Sequence, residues 1–238
     1  MAQPPSSSAG VRQPTASEAL FIIGALDIQP ELVPDGPARQ LGMELRGSRA
    51  HIAPQLVAAA FWNLQHFGVV GLELKKGKSL GFISRTELVA VMRGGPTSVP
   101  GIEGELLAMI VAGPPREIGR IVRDWFGKRV RDANPAVVDR VLAHCAQAGL
   151  VELRQEDTGR GAVAGLLLGR TRQVVIPKSS TIAAAGTALA DMAGAWLAFR
   201  QAAPELAEEL VTRCRKAIES REFSDSDDGG GSGGSDLD

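Results

Sequence analysis

The sequence predicts a mainly α-helical protein with short β-hairpins, built as tandem winged-helix-like units followed by C-terminal helices. Three observations carry that prediction. Apolar residues recur at helical spacing over most of the chain. Twice, such a helix meets a glycine, Gly68 or Gly149, and gives way to a strand-like segment. In the second half, three helical stripes precede that step, which is the element order of a winged helix.

The elements follow in order. Residues 1–17 read as a flexible leader with Pro4, Pro5 and Pro14. Thr15 or Ser17 suits the cap of a short helix from near Glu18, carrying Leu20, Phe21, Ile22, Ile23 and Leu26. The same short apolar run also suits a buried strand. Residues 29–54 hold Pro30, Pro34, Pro37 and Pro54 and read mostly as loop. From Gln55, the stripe Leu56, Val57, Ala60, Phe61, Leu64 and Phe67 predicts a helix. Val70, Leu72 and Leu74 then alternate with Gly71 and Glu73, which predicts a strand. A turn is expected at Lys76–Gly77–Lys78, a return strand over Leu80–Ser84, and a short helix over Glu87–Met92. These elements make a first unit over 18–95.

The second unit spans 96–178. Ile102, Leu106, Leu107, Ile110 and Val111 form one stripe; Ile118, Ile121, Val122, Trp125 and Phe126 form another. Asn134–Pro135 opens a third helix, because Asn caps well and Pro fits a first turn. Its stripe is Val137, Val138, Val141, Leu142 and Cys145. A strand over Leu150–Leu153, a turn over Asp157–Gly161 and a return strand over Ala162–Leu168 follow, with Val174–Ile176 extending or adding to them. Residues 179–223 are helical again. Ala183–Phe199 carries Gly186, Ala190 and Gly194 at four-residue spacing, with Asp191 among them. That composition favours a buried helix or a homo-oligomer contact over a membrane span. Residues 224–238 hold five aspartates and one large apolar residue, Leu237, and read as a disordered acidic Gly/Ser tail.

Charge has to be read without that tail. The remaining chain has 26 basic residues against 22 acidic ones, a net of about +4. This is too weak a balance to indicate a nucleic-acid partner. The first ten residues lack the basic and apolar regions of a secretory signal, so a cytoplasmic location is expected. Cys145 and Cys214 are too few for a cysteine metal site or a disulfide scaffold. His51, His66 and His144 stand at no metal-ligand spacing, and Glu103 and Glu105 point different ways on one helix start. No nucleophile elbow, phosphate loop or dinucleotide fingerprint is found, and tyrosine is absent. The expectation is a non-enzymatic protein without metal or cofactor.

Basic clusters are the remaining chemistry. One covers Lys75, Lys76, Lys78 and Arg85. Another covers Arg116, Arg120, Arg123, Lys128, Arg129 and Arg131, diluted by Glu117 and Asp124. A third covers Arg160, Arg170, Arg172 and Lys178, with no acid from Gly159 to Lys178. Lys75, Lys76, Lys78, Arg170, Arg172 and Lys178 are the candidate ligand-binding residues, because Lys and Arg on hairpins can capture anionic headgroups. A winged helix reading DNA would use its third helix. Here that helix offers Asp139, Arg140, His144 and Gln147, and the helix near Gln55–Phe67 has no Lys or Arg. DNA binding is therefore the alternative, along with a protein-interaction scaffold.

The order of motifs resembles the Golgi phosphoprotein-like family, including its shorter bacterial members. Glu18–Ala19–Leu20–Phe21–Ile22–Ile23, ending in Leu26–Asp27, is similar to that family's acidic–aliphatic opening. Leu56–Glu73 looks like its small-apolar helix, Gly, strand segment. Pro100–Ile110 resembles its next helix start, and Val138–Leu153 its later helix–Gly–strand step. The resemblance covers about Glu18 to Leu153. It implies a mostly helical peripheral membrane protein that binds phosphoinositide or other anionic headgroups and performs no catalysis. It also implies a lipid pocket with a tryptophan and arginines. In this chain Trp62 and Trp125 lie on core stripes, and Arg170 and Arg172 correspond only by following the second hairpin. The expected role is a peripheral binding or adaptor module with an anionic lipid or a protein as its partner.

Overall fold

Helix α1 (Ala16–Gly24) is buried at all nine of its residues, its apolar run Ala19–Ile23 in the core and its two polar residues, Ser17 and Glu18, satisfied by hydrogen bonds. The computed structural model describes residues 12–24, 26, 52–79, 83–95, 98–127, 130, 132–157 and 171–223, the side chains of 77–79, 83–85, 155–157, 171–174 and 221–223 excepted. Four residues at the head of α1 decide helix over strand. The Glu18 N–H donates to Thr15 Oγ1 at 3.4 Å, and the Thr15 N–H donates back to Glu18 Oε2 at 2.9 Å. That reciprocal pair is a capping box, spelled Thr-x-x-Glu.

Helix α2 (Ile52–His66) starts earlier than Gln55, because Pro54 falls in the first turn, where N–H groups have no intrahelical acceptor and proline loses nothing by lacking one. It closes with Val69 N–H on Leu64 O and Gly68 N–H on Gln65 O, both at 2.9 Å, and Gly68 at φ +69°. This end is a Schellman motif, in which a left-handed glycine turns the chain directly into the next element.

That element is β1 (Val70–Ser79), antiparallel to β2 (Ile83–Met92) from Val70↔Met92 to Ser79↔Ile83. Two expectations are corrected here. Lys76–Gly77–Lys78 is strand, with Gly77 opposite Arg85, and the return strand is described from Ile83; residues 80–82 lie outside the described set. Glu87–Met92 is the end of β2, and no helix forms there. Its Leu88, Val89 and Ala90 are buried and Val91 is half-buried, and the two β-branched valines suit a strand.

Helix α3 (Gly101–Val111), the short strand β3 (Arg116–Glu117) and helix α4 (Ile118–Phe126) follow. Strand β3 pairs with β2 at Val89↔Glu117 and Ala90↔Arg116, giving a sheet of order β1-β2-β3. Glu117 caps α4 by accepting the Arg120 N–H at 2.9 Å. Helix α5 (Ala133–Gln147) begins ahead of Asn134, with Asp132 rather than Asn134 at the N-cap. It ends as α2 does: Leu150 N–H on Cys145 O at 2.8 Å, Gly149 N–H on Ala146 O at 3.0 Å, and Gly149 at φ +68°. Strand β4 (Val151–Asp157) then pairs with β5 (Thr171–Pro177) from Val151↔Pro177 to Asp157↔Thr171. The return strand expected over Ala162–Leu168 lies outside the described residues, and the partner of β4 is the later 171–177 segment.

Helix α6 (Ser179–Ala202) and helix α7 (Pro204–Phe223) complete the described residues, broken at Ala203, with Pro204 at a first helical position. The described residues thus hold seven helices and two small antiparallel sheets. One hydrophobic cluster runs through α1 to α7 and the roots of both hairpins. Ile22, Phe61, Leu106, Ile121, Leu150 and Leu210 are all essentially sealed from solvent within it. Burial of each such side chain favours folding by about 1.5–3 kcal/mol.

Candidate functional site

The first hairpin emerges from the core along its own length. Val70, Leu72, Leu88 and Ala90 are buried, whereas Leu74, Lys75, Lys76 and Thr86 are exposed. Lys75 lies opposite Glu87 in register, and its Nζ is 3.5 Å from Glu73, which also receives Arg93 at 2.6 Å. Lys76 enters no ion pair among the described residues. It shares a face with Leu74, two residues away in the same strand.

Of the other candidates, one has a described side chain, and it lies on the second hairpin. Lys178 is exposed but follows Pro177, the partner of Val151, so it stands at the root of the second hairpin. Its Nζ lies over Gly149. Arg172 is opposite Glu156 in register, an acid from the facing strand that a reading of 159–178 alone misses. Arg170 and Arg160, and the side chains of Lys78, Arg85 and Arg172, lie outside the described set. Two members of the second basic cluster lie close to acids, while Arg120 is exposed and Lys128, Arg129 and Arg131 lie outside the described set. Arg116 bonds Asp124 at 3.1 Å and the Met109 carbonyl, and Arg123 is 3.9 Å from Glu117.

The most developed polar constellation was not legible as a site in the sequence. Helix α3 sends Glu105 toward α4 and α5, where it meets three donors. His144 Nε2 is 2.7 Å from Oε1, while Trp125 Nε1 and Arg140 Nη1 reach Oε2 at 2.7 and 2.8 Å. Arg140 also covers the Trp125 ring at 4.7 Å. Burial alone raises the Glu105 pKa, but the bonds from His144, Trp125 and Arg140 outweigh it and hold the carboxyl below its ordinary value. A carboxylate so fully engaged is a poor proton acceptor. Arg140 and His144 are one helical turn apart, and only the tertiary fold brings Glu105 and Trp125 to them.

A second carboxylate, Glu103, points the other way into the core. It accepts from the Ser17 N–H at 3.0 Å, the Ser17 hydroxyl at 2.8 Å and the Thr15 hydroxyl at 3.1 Å. Burial pushes its pKa up against these bonds. Beside it Glu18 is also sealed, and takes both guanidinium nitrogens of Arg12 at 2.7 and 2.5 Å. Those bonds raise the Arg12 pKa despite its desolvation. Arg12, Gly101, Gly104, Glu105, His144 and Gln147 border a cleft of about 450 Å³. The segment from Arg12 to Ser17 is thereby fastened to α3.

Cys145 and Cys214 are free and buried, and burial pushes both thiols up. Among the described residues no group of three His, Cys, Asp or Glu is placed to hold a metal. Helix α6 is the one described helix long and apolar enough to cross a membrane. It nevertheless packs Ile182, Ala185, Leu189 and Ala193 into the shared core. No protein-family model, curated protein or solved structure matches the chain.

Proposed function

We propose that this chain is a non-enzymatic peripheral adaptor, of the Golgi phosphoprotein-like kind, that takes anionic lipid headgroups on its first hairpin from the cytoplasmic side. The observation that carries the reading is the pairing of exposed Leu74 with exposed Lys76 on one face of a hairpin whose root is buried. An interfacial binder needs both an apolar contact and a cation near the headgroups. We also read the fold as two winged-helix-like units. The matching Schellman ends of α2 and α5, each feeding a hairpin, support that reading. The DNA alternative loses ground because Arg140 and His144, two of the cationic candidates on α5, are occupied by Glu105.

Vesicle co-sedimentation tests the proposal. Partition onto phosphatidylserine- or phosphoinositide-containing vesicles is expected to exceed that onto neutral phosphatidylcholine and to fall with salt. Each lysine near the surface is worth about 1 kcal/mol, or roughly fivefold in partition, so Lys75→Ala with Lys76→Ala should cost well over tenfold. Equal partition onto neutral and anionic vesicles at low salt overturns the proposal.

A further inference from the structure

We infer that a cavity between α1, α2, α6 and α7 binds a single-chain anionic amphiphile, one acyl chain bearing a carboxylate or phosphate. The cavity has a volume of about 740 Å³, and small-molecule sites commonly run from about 300 to 1,000 Å³. Its room is encoded in the sequence. Ala16, Ala58, Ala59, Ala193 and Ala207 face it from all four helices, and their short side chains leave the space open. Interiors are otherwise close-packed, so an opening of this size among small side chains calls for an occupant.

The walls specify the occupant's body. Leu20, Trp62, Leu189, Met192 and Trp196 line it, with the two indoles edge to face at 5.7 Å. Methionine and tryptophan together give a broad, adaptable apolar surface. Helix α6 contributes Leu189, Met192 and Trp196 to it. Its best 18-residue window has a mean hydropathy of 1.4, yet only 28% of that window is buried within the fold. The helix is more apolar than the packing of this chain accounts for.

The rim specifies the head. Arg200 and Arg215 border the cavity and are exposed, and neither enters an ion pair among the described residues. Glu208 is the single acid at the rim, so the opening is net cationic. Guanidinium groups pair well with carboxylate and phosphate oxygens. At the wall, the buried Oε1 of Gln55 has no hydrogen-bond partner among the described residues. A ligand hydroxyl would satisfy it.

The inference stands apart from the hairpin reading, and its test separates the two. The full chain is titrated with oleate, with oleoyl lysophosphatidate and with neutral monoolein, each below its aggregation threshold. Tryptophan fluorescence is followed, since two of the three tryptophans line the cavity. The expected result is saturable one-to-one binding of an anionic probe, with monoolein at least about tenfold weaker for want of a charge-assisted contact. A stronger response to lysophosphatidate assigns a phosphate head and one to oleate a carboxylate; either supports the inference. Arg200→Gln with Arg215→Gln, both exposed and compatible with folding, should remove the anionic preference. Ala193→Leu should narrow the cavity and weaken binding. Lys75→Ala with Lys76→Ala should bind as the unaltered chain does. Non-saturable responses, monoolein binding as tightly as the anions, or titrations unchanged in both the arginine and Ala193 variants overturn the inference.

Discussion

Ser17 donates both its backbone N–H and its hydroxyl to Glu103, across 86 positions of the chain. Glu103 is fully buried and enters no ion pair among the described residues, so its charged form carries a desolvation cost that the Ser17 bonds only partly offset. Its folded-state pKa is therefore raised above the ordinary 4.5. The stability this group contributes is fully present below that ordinary value and is lost as pH rises through the raised one. Glu103→Gln removes the charge and keeps the shape. Its Oε1 can still accept from the Ser17 N–H, while its amide donates to the Ser17 and Thr15 hydroxyls, which can rotate. The variant should gain about 1–3 kcal/mol at pH 8 relative to the unaltered chain and lose that advantage near pH 4. Urea denaturation at the two pH values checks this. A variant less stable at both would show that the carboxylate is required in its ionised form.

Glu105 predicts the opposite sign. Its carboxyl is held below the ordinary value by His144, Trp125 and Arg140, so its stabilisation is present above that value and lost as pH falls through the depressed one. Glu105→Ala strands three donors at once. It should destabilise by about 2 kcal/mol near neutrality, and its deficit should shrink on strong acidification. Arg140→Lys keeps the charge but gives up the planar cover on Trp125, for a loss of about 0.5–1 kcal/mol. Thermal melts of the two variants across pH 3–8, with near-ultraviolet circular dichroism of Trp125, provide the comparison. An alanine variant with an unchanged acid limb would remove Glu105 as its source.

The contrast between Glu103 and Glu105 also shows where sequence reading stops. Helices and their ends are local events. Thr15-x-x-Glu18, Gly68 and Gly149 are legible because the residues that satisfy each end lie within a turn of it. The extent of a hairpin is less local. Glu87–Met92 carries an acid beside short apolar residues, and only its pairing with Val70–Lys75 makes it a strand. The root position of Lys178 depends likewise on the register Val151↔Pro177. The two glutamates were correctly expected to diverge, but their partners were invisible. Ser17 lies 86 residues away, and Trp125, Arg140 and His144 converge from two other helices.

The cysteines give a chemical test of the core. Cys145 and Cys214 are both fully buried, and burial pushes both thiols up, so thiolate is scarce and shielded at once. At pH 8 the native protein should react with neither equivalent of Ellman's reagent on the minutes scale, and with two after denaturation. Rapid native reaction of either thiol would place its helix, α5 or α7, outside the shared core.

Two helical glycines should respond to alanine with opposite signs. In a helix interior, Gly→Ala ordinarily stabilises by about 0.5–1 kcal/mol, because glycine loses more backbone freedom on folding. Gly194 in α6 meets that ordinary case: a methyl group there would have nothing within 4 Å. Gly194→Ala should stabilise by that amount, read as a higher urea midpoint at an unchanged slope. Gly104 in α3 should do the reverse. A Cβ built on it would fall on the carbonyl oxygen of Val99, a backbone atom that cannot swing away as a side chain can. Val99–Gly101 would have to move, and Gly101 packs directly against the Glu103 and Glu18 carboxylates. The strain therefore reaches the clasp that fastens the N-terminal segment to α3. Gly104→Ala should destabilise by about 2 kcal/mol or more, within the range for overpacked sites. The pair controls for the propensity effect, because both exchanges are chemically identical. Equal shifts of the same sign in the two variants would mean that the turn before α3 is looser than its close approach to Gly104 implies.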